Sequence, residues 1–155
     1  MTRPFGSLEQ EAYLNLLRTA EVLQQGIVEV LRAHGLSAPQ YNVLRILRGA
    51  GPGGLACREI GERMVTRDPD ITRLLDRLED RGLVNRSRDP RDRRIILTRI
   101  TPAGLKALRS LDRPVARAHL DQLGHLGKRS LQAMIELLEL AREAREGHAG
   151  PIQKG

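Results

Sequence analysis

The chain has 155 residues, enough for one domain with a helical extension, and its 40% hydrophobic content excludes wholesale disorder. Aromatic residues make up only 2%, so the core must be aliphatic, which suits packed helices and disfavours stacking of single-stranded bases. A net charge of +7 favours a polyanionic partner, while a single cysteine and the lack of a long apolar run exclude a disulfide framework and predict a cytoplasmic protein without a membrane partner.

The N-terminal part of the chain predicts one long helix from Ser7 to about His34. Ser7 and Gln10 have the spacing of a capping box, and Gly35 stands where a left-handed residue ends a helix. Such a helix would be roughly 42 Å long, more than the width of a small domain. Because its apolar stripe follows the helical period along this whole length, it needs a partner beyond a compact monomer. Residues 1–36 are therefore predicted to form a dimerisation helix.

A second helix is predicted from Ser37 to Arg48, since Ser37 again has capping-box spacing to a glutamine. The glycine-rich stretch at residues 49–54 predicts a loop. It satisfies a G-x-G-x-x-G pattern by letter, but no strand precedes it, so nucleotide binding is not expected there. A short helix is predicted next, from Leu55 to Met64.

The following break predicts the start of another helix, with Asp68 as its N-cap and Pro69 as its first residue. This helix is predicted to run to Arg81, with Gly82 as the left-handed residue that ends it. Together with the preceding short helix it has the dimensions of a helix-turn-helix, in which the second helix reads DNA. Its exposed side chains are predicted to be Asp70, Thr72, Arg73, Asp76, Arg77 and Asp80.

Two interpretations of this helix remain open from its own residues. Arg73 and Arg77 lie on the half that recognition helices push against bases, where arginine can bind guanine O6 and N7. Alternatively, the helix is an ordinary amphipathic one whose arginines pair with its own carboxylates, Asp76, Glu79 and Asp80. The helix alone favours neither interpretation.

The next segment predicts a basic hairpin. Strands are predicted at Val84–Arg88 and Ile95–Ile100, around the tip DPRDRR. A solvated turn with internally paired charges is the alternative, but two flanking strands make a free linker less plausible. A helix-turn-helix followed by such a hairpin is the plan of a winged helix. Asp92 and Arg94 are two residues apart, so on a strand they would share a side, and the carboxylate could hold the guanidinium extended toward a minor groove.

The C-terminal third predicts two more helices. Thr101 and Pro102 form an N-cap and first-residue pair that opens a helix to about Leu123, and a last helix covers about Lys128 to Arg145. The last helix is apolar on more than one face, which suggests burial between subunits. Residues 101–146 are therefore predicted as C-terminal dimerisation helices, and residues 147–155 as a disordered tail.

The run from Ile71 to Gly104, ITRLLDRLEDRGLVNRSRDPRDRRIILTRITPAG, resembles the signature of MarR-type transcriptional regulators. The segments DRLEDRGLV, D-x-x-D-R-R and LTRITPAG carry the resemblance, which extends over nearly the whole chain. Such proteins are homodimeric winged helix-turn-helix regulators. The resemblance implies that Arg73 faces the major groove, that Arg94 enters the minor groove with Asp92 as its orienting partner, and that a small ligand binds between dimerisation helices and winged core.

One position departs from that family's pattern. Many members carry serine just after the proline at the start of the reader helix, where it can bond a phosphate or a base. Here the residue is Asp70, which could accept from cytosine N4 but would repel phosphate.

No combination of residues predicts catalysis, a metal site or a cofactor. The histidines have no metal-ligand spacing with one another or with Cys57, and no nucleophile–base pair is visible. Cys57 is expected to be a buried structural residue rather than a redox sensor. We expect a protein that is not an enzyme.

These patterns together predict a mostly α fold with a small β-wing, in which a winged helix-turn-helix core at residues 37–100 lies between long dimerisation helices. The expected function is a sequence-specific, ligand-responsive repressor that binds a palindromic operator in double-stranded DNA as a homodimer. The alternative is a winged-helix module that binds an acidic protein. The predicted DNA-binding residues are Arg67, Asp70, Thr72, Arg73 and Arg77 around the reader helix and Arg88, Arg91, Asp92, Arg93 and Arg94 in the wing.

Overall fold

The computed structural model describes residues 6–146, so the predicted disorder of residues 147–155 lies outside the described residues. These residues form two compact units, the first ending at Ala118 and the second beginning at His119. The predicted fold class is confirmed: the described chain is mostly helical with one small sheet. In chain order its elements are α1 (Leu8–Ala33), α2 (Ala38–Ala50), β1 (Leu55–Ala56), α3 (Cys57–Arg63), α4 (Ile71–Asp80), β2 (Val84–Arg88), β3 (Ile96–Ile100), α5 (Pro102–Leu123) and α6 (Gly127–Glu146).

The ends of α1 and the start of α2 follow the capping residues that predicted them. Ser7 Oγ accepts from the Gln10 amide at 3.2 Å, although the Gln10 side chain caps Gly6 N rather than closing a box on Ser7. The box between Ser37 and Gln40 is complete. The predicted end of α2 at Arg48 is wrong, because the helix continues to Ala50 and includes the first two residues of the expected loop.

A strand was not predicted at the start of the helix-turn-helix. Leu55 and Ala56 form β1, which pairs antiparallel with Thr98 and Leu97 of β3, so the helix predicted from Leu55 begins only at Cys57. A two-residue strand has no periodicity of its own, and its partner lies more than 40 residues away. The sheet order is β1-β3-β2, with β2 also antiparallel to β3, so the predicted hairpin is confirmed and gains a third strand.

The start of α4 corrects another prediction. Asp70, rather than Asp68, is the N-cap, and the helix begins at Ile71 instead of Pro69. Asp68 Oδ1 instead accepts from the Asp70 amide at 2.8 Å, which forms a turn before the helix. The other end is as predicted: Gly82, with φ of +69°, donates to Glu79 O, and Leu83 N donates to Leu78 O, a Schellman ending.

The core lies in the first unit and is aliphatic, as the composition predicted. It is built from the last turns of α1, from α2, α3 and α4, from the sheet and from the first turns of α5. Its buried members are Leu31, Leu36, Val43, Leu44, Leu47, Leu55, Ile60, Leu74, Leu75, Leu78, Leu83, Val84, Leu108, Leu111 and Val115.

The first turn of α5 lies directly against the end of α4. Thr101 caps α5, since its Oγ1 accepts from Gly104 N at 3.1 Å, and the same hydroxyl donates to Gly82 O at 2.6 Å. Gly104 is buried, and a Cβ there would lie 2.2 Å from the backbone oxygen of Leu83. This contact requires glycine because any side chain would displace backbone.

The second unit contains the last turn of α5, a 3₁₀ turn at Gly124–Leu126 and α6. Large apolar side chains of α6 remain exposed, among them Ile135, Leu137 and Leu140. No helix among residues 6–146 is both long enough and apolar enough to cross a membrane.

We predict that Gly104→Ala destabilises the chain by about 1–3 kcal/mol, because the added methyl group overlaps the Leu83 carbonyl and forces α5 away from α4. Urea unfolding followed by circular dichroism measures this change. Gly49→Ala is the matched control: Gly49 is also helical, nothing lies within 4 Å of its added Cβ, and it should stabilise by about 0.5–1 kcal/mol. Equal stability of the two variants would contradict the proposed close approach.

Candidate nucleic-acid interface

The helix α4, here named the reader helix, has one buried and one exposed side. Leu74, Leu75 and Leu78 are buried in the core, so the opposite side faces outward. As predicted, Thr72, Arg73, Arg77 and Asp80 are exposed, and Arg67 is exposed in the turn before the helix. The prediction for Asp76 was wrong: it is half-buried.

The N-terminus of the reader helix carries a carboxylate that is already engaged. Asp70 Oδ1 accepts from the backbone amide of Arg73 at 3.1 Å. A carboxylate in this place satisfies an amide without an intrahelical partner and interacts favourably with the helix dipole. Asp70 is nevertheless exposed, so its other oxygen is available to a hydrogen-bond donor and repels an anion.

Arg86 joins the wing strand β2 to the reader helix. Its Nη2 donates to Asp76 Oδ1 at 2.5 Å and to Glu79 Oε2 at 2.6 Å, and its Nε donates to Glu79 Oε2 at 2.8 Å. Glu79 Oε1 also accepts from the backbone amide of Arg86 at 3.0 Å. These contacts, above all the hydrogen bonds to Glu79, raise the pKa of Arg86 above its usual value, so the guanidinium is charged at any ordinary pH.

This cluster decides which charges of the reader helix remain available. Asp76 and Glu79 are the carboxylates that an ordinary amphipathic helix would use to neutralise its own arginines, and both are bound by Arg86. Among residues 6–146, neither the Arg73 nor the Arg77 side chain forms an ion pair. The structure therefore does not show the alternative in which Arg73 and Arg77 pair with carboxylates of their own helix.

The wing tip, residues 89–95, is an ordered turn between β2 and β3. Asp89 N donates to Ile95 O at 2.8 Å, Ile95 N donates to Asp92 O at 2.9 Å, and Arg88 Nη1 donates to Arg93 O at 2.7 Å. The predicted start of β3 at Ile95 is one residue early, since the strand begins at Ile96. Arg88, Arg91, Arg93 and Arg94 are all exposed.

Asp92 and Arg94 are in contact, as expected, but for a different reason. Both lie in the turn rather than on a strand, and Asp92 Oδ1 accepts from both the backbone amide and Nε of Arg94 at 3.1 Å. The Arg94 side chain is 91% exposed. Arg94 Nη2 also donates to Asp92 Oδ2 at 3.3 Å, so the carboxylate holds the Nε–Nη2 edge of the guanidinium while most of the side chain projects into solvent.

The same pair fixes the charge state of the tip. The hydrogen bonds from the Arg94 side chain and then its backbone hold the pKa of Asp92 below its ordinary value of 3.8. Because the pKa is depressed in the folded state, the pair is fully formed above 3.8 and is lost only as the pH falls through the lower value. Asp92 is ionised at neutral pH.

Three further residues support these elements and were not predicted to do so. Arg86 was expected only to lie on the strand below the tip. Arg99 of β3 donates to Pro52 O at 3.0 Å and to Ser87 Oγ at 2.8 Å, and Asn42 Oδ1 accepts from Val65 N at 2.8 Å in the helix-turn-helix turn. Their partners lie 7 to 47 residues away and on other elements, so local sequence spacing gives no signal for them.

The part of the chain that the structure describes contains no metal-binding cluster beside this interface. Within residues 6–146, no group of three or more His, Cys, Asp or Glu side chains could hold a metal ion. Cys57 is half-buried at the start of α3, rather than fully buried as expected.

Known proteins that are similar to this chain in sequence and fold identify its family. Residues 36–96 match the MarR family. A MarR transcription factor from Planctomyces limnophilus is 48% identical, with a TM-score of 0.68 over 88% of this chain and 98% of that one. This chain belongs to the MarR family.

Two other relatives extend the comparison with the MarR family. The PcaV transcriptional regulator from Streptomyces coelicolor, solved in complex with its natural ligand, is 32% identical, with a TM-score of 0.68 over 81% of this chain and 90% of that one. The HTH-type transcriptional repressor MdtR from Bacillus subtilis is 31% identical over 63% of this chain and 61% of its own length. The chain is accordingly a DNA-binding transcriptional regulator and not an enzyme. The roles of individual residues in DNA contact stay predictions.

Proposed function

We propose that this MarR-family protein is a homodimeric, ligand-responsive repressor that binds a palindromic operator with its two reader helices and two wings. In this proposal Arg73, Arg77 and Thr72 contact base edges in the major groove, with Arg67 and Asp70 beside them. Arg94, oriented by Asp92, enters the minor groove, where the negative potential favours arginine. Arg88, Arg91 and Arg93 contact the DNA backbone.

One observation carries the proposal: Arg86 binds both Asp76 and Glu79 and leaves Arg73 and Arg77 exposed. Without this third arginine, the reader helix would have three carboxylates against two arginines and would repel a polyanion. With it, the two arginines that face outward have no competing ion pair among residues 6–146. A protein-binding module would not need this separation of charges beside an oriented arginine in the wing.

The exposed apolar side chains support a dimer with interlocking terminal helices at residues 1–36 and 101–146. Only Leu31 of α1 is buried in the chain, although the helix carries a continuous apolar stripe. Exposed members are Leu8, Tyr13, Leu16, Leu17 and Val22 on α1, and Ile135, Leu137 and Leu140 on α6. On each helix taken by itself, several large exposed apolar side chains favour a protein interface over a solvated surface.

The two relatives with described roles support the remaining parts of the proposal. PcaV was solved with its natural ligand, and MdtR is a repressor. We infer that a small molecule shifts this protein between states with different separations of the reader helices.

Selection of binding sites from random DNA tests the proposal directly. We expect two inverted half-sites with centres about 34–36 Å apart, one turn of DNA, because a two-fold dimer presents its reader helices symmetrically. Enrichment of a single, non-repeated site would contradict the dimeric arrangement. Failure to enrich any sequence would contradict specific readout.

Arg94→Ala is expected to weaken binding to the selected operator by at least about tenfold, since each dimer loses two arginines. The slope of log affinity against log salt should also fall, by roughly 0.9 for each phosphate that the charge of Arg94 in the minor groove no longer neutralises. Fluorescence anisotropy across a salt series measures both quantities, and sedimentation should show an unchanged dimer.

The matched control for Arg94→Ala is Arg45→Ala, which removes an exposed arginine from α2, outside the proposed dimerisation helices, and leaves the wing intact. It is expected to bind the operator like the parent protein. If Arg94→Ala also binds like the parent at every salt concentration, the assignment of the wing is wrong.

Arg73→Ala should relax sequence preference rather than lower affinity uniformly. The expected loss is about 1–3 kcal/mol of discrimination at one base pair in each half-site, the value of one bidentate arginine–guanine contact. Anisotropy with the operator, with single-base variants and with random DNA separates the two effects. Equal losses on operator and random DNA would make Arg73 a phosphate contact instead.

A further inference from the structure

The end of the reader helix is attached to a distant part of the chain through Arg81, its C-cap residue. Arg81 Nη1 donates to the backbone oxygen of Gly35 at 2.8 Å and to Gln40 Oε1 at 3.3 Å. Gly35 follows the end of α1, and Gln40 belongs to the first turn of α2. One guanidinium therefore joins the reader helix to the turn between α1 and α2.

Both acceptors of Arg81 are held in a rigid turn. Gly35 N donates to Arg32 O at 3.0 Å and Leu36 N donates to Leu31 O at 3.1 Å, so the backbone around the Gly35 carbonyl is fixed by a Schellman ending. Gln40 Oε1 also accepts from Ser37 N at 3.0 Å and so belongs to the capping box of α2. A displacement of this turn is consequently transmitted to Arg81 instead of being absorbed by a flexible loop.

The position of this contact matters because α1 meets the core only near its C-terminus. Leu31 is buried there, and Ile27 and Val30 pack against the core, whereas the earlier turns expose their apolar side chains. The direction of α1 relative to the reader helix is thus set within its last turns. Arg81 forms its hydrogen bonds just beyond them, at Gly35.

We propose that Arg81 is a positioning residue that fixes the angle between α1 and the reader helix, and thereby the separation of the two reader helices in the dimer. This inference rests on the proposed function, in which α1 contacts a second copy of the chain. A base-pair step is only about 3.4 Å, so a small rotation at the base of α1 moves a reader helix out of register with its half-site. Arg81 acts through the helix angle and not by contact with a base.

The test is the dependence of affinity on half-site spacing. The probe is a palindromic duplex built from two copies of the half-site selected from random DNA, together with versions in which one base pair is inserted or deleted at the centre. The parent protein should bind the altered duplexes at least roughly tenfold more weakly, comparable to the effect of one mismatched base pair. Arg81→Ala should reduce this ratio to about threefold or less, because its reader helices can adjust to either spacing.

Two controls separate positioning from a loss of charge or of fold. Arg45→Ala removes one exposed arginine from α2, outside the proposed DNA contacts and dimerisation helices, and should keep the parent's spacing ratio. Arg81→Met keeps the aliphatic stem without its donors, so it serves as the second variant if Arg81→Ala does not fold. Both Arg81 variants should retain the parent's single-base preference within a half-site, which a merely unfolded protein would not.

The outcomes distinguish the two proposals. If the parent protein shows no spacing preference, the dimeric function on paired half-sites is wrong and the role of Arg81 falls with it. If the parent discriminates and the Arg81 variants discriminate equally well, the proposed function stands and the role of Arg81 alone is wrong.

Discussion

The contact of Arg86 with Asp76 and Glu79 is the interaction on which the candidate interface depends. The two carboxylates are three residues apart on the reader helix and so lie on one side of it, where a single guanidinium from β2 reaches both. This contact fixes the first wing strand to the reader helix. It also removes two negative charges from competition with Arg73 and Arg77. The position of the wing strand against the reader helix and the net charge of that helix therefore both depend on Arg86. A substitution that breaks this contact would change both.

Partial burial makes this cluster more consequential than an ordinary surface ion pair. The Arg86 side chain is only 25% exposed, so it has lost much of its hydration and depends on the acceptors that surround it. Exposed pairs such as Arg58 with Glu62 contribute little, because solvent screens them and the side chains lose entropy. Loss of one carboxylate from the Arg86 cluster would leave a partly desolvated charge with fewer acceptors, which is costly.

The elements that could be predicted from the sequence are those with local signals, and the rest depends on distant partners. Capping residues and the helical spacing of apolar residues predicted α1, α2 and both helices after Ile100, because each of these signals lies within the element itself. Asp68 and Asp70 are equally good caps by residue type, and the turn that selects Asp70 is formed by a hydrogen bond between them. The Asp92–Arg94 contact was predicted from strand alternation but arises in a turn. The role of Arg86 has no local signal, since its partners lie on another element.

The acidic N-terminus of the reader helix determines which element of the proposed interface can bind phosphates and which can read bases. Asp70 satisfies the Arg73 amide and interacts favourably with the helix dipole, by about 0.3–1 kcal/mol, but it repels any phosphate placed at that helix end. Phosphate attraction must then come mainly from elsewhere. The wing has four exposed arginines, Arg88 on β2 and three in the tip, next to two carboxylates that are engaged in the turns of the tip. On the proposed interface the wing supplies most of the salt-dependent affinity, and the reader helix supplies most of the base preference. Substitutions in the wing would therefore mainly change affinity, and substitutions in the reader helix would mainly change base preference. Arg86 connects these two elements.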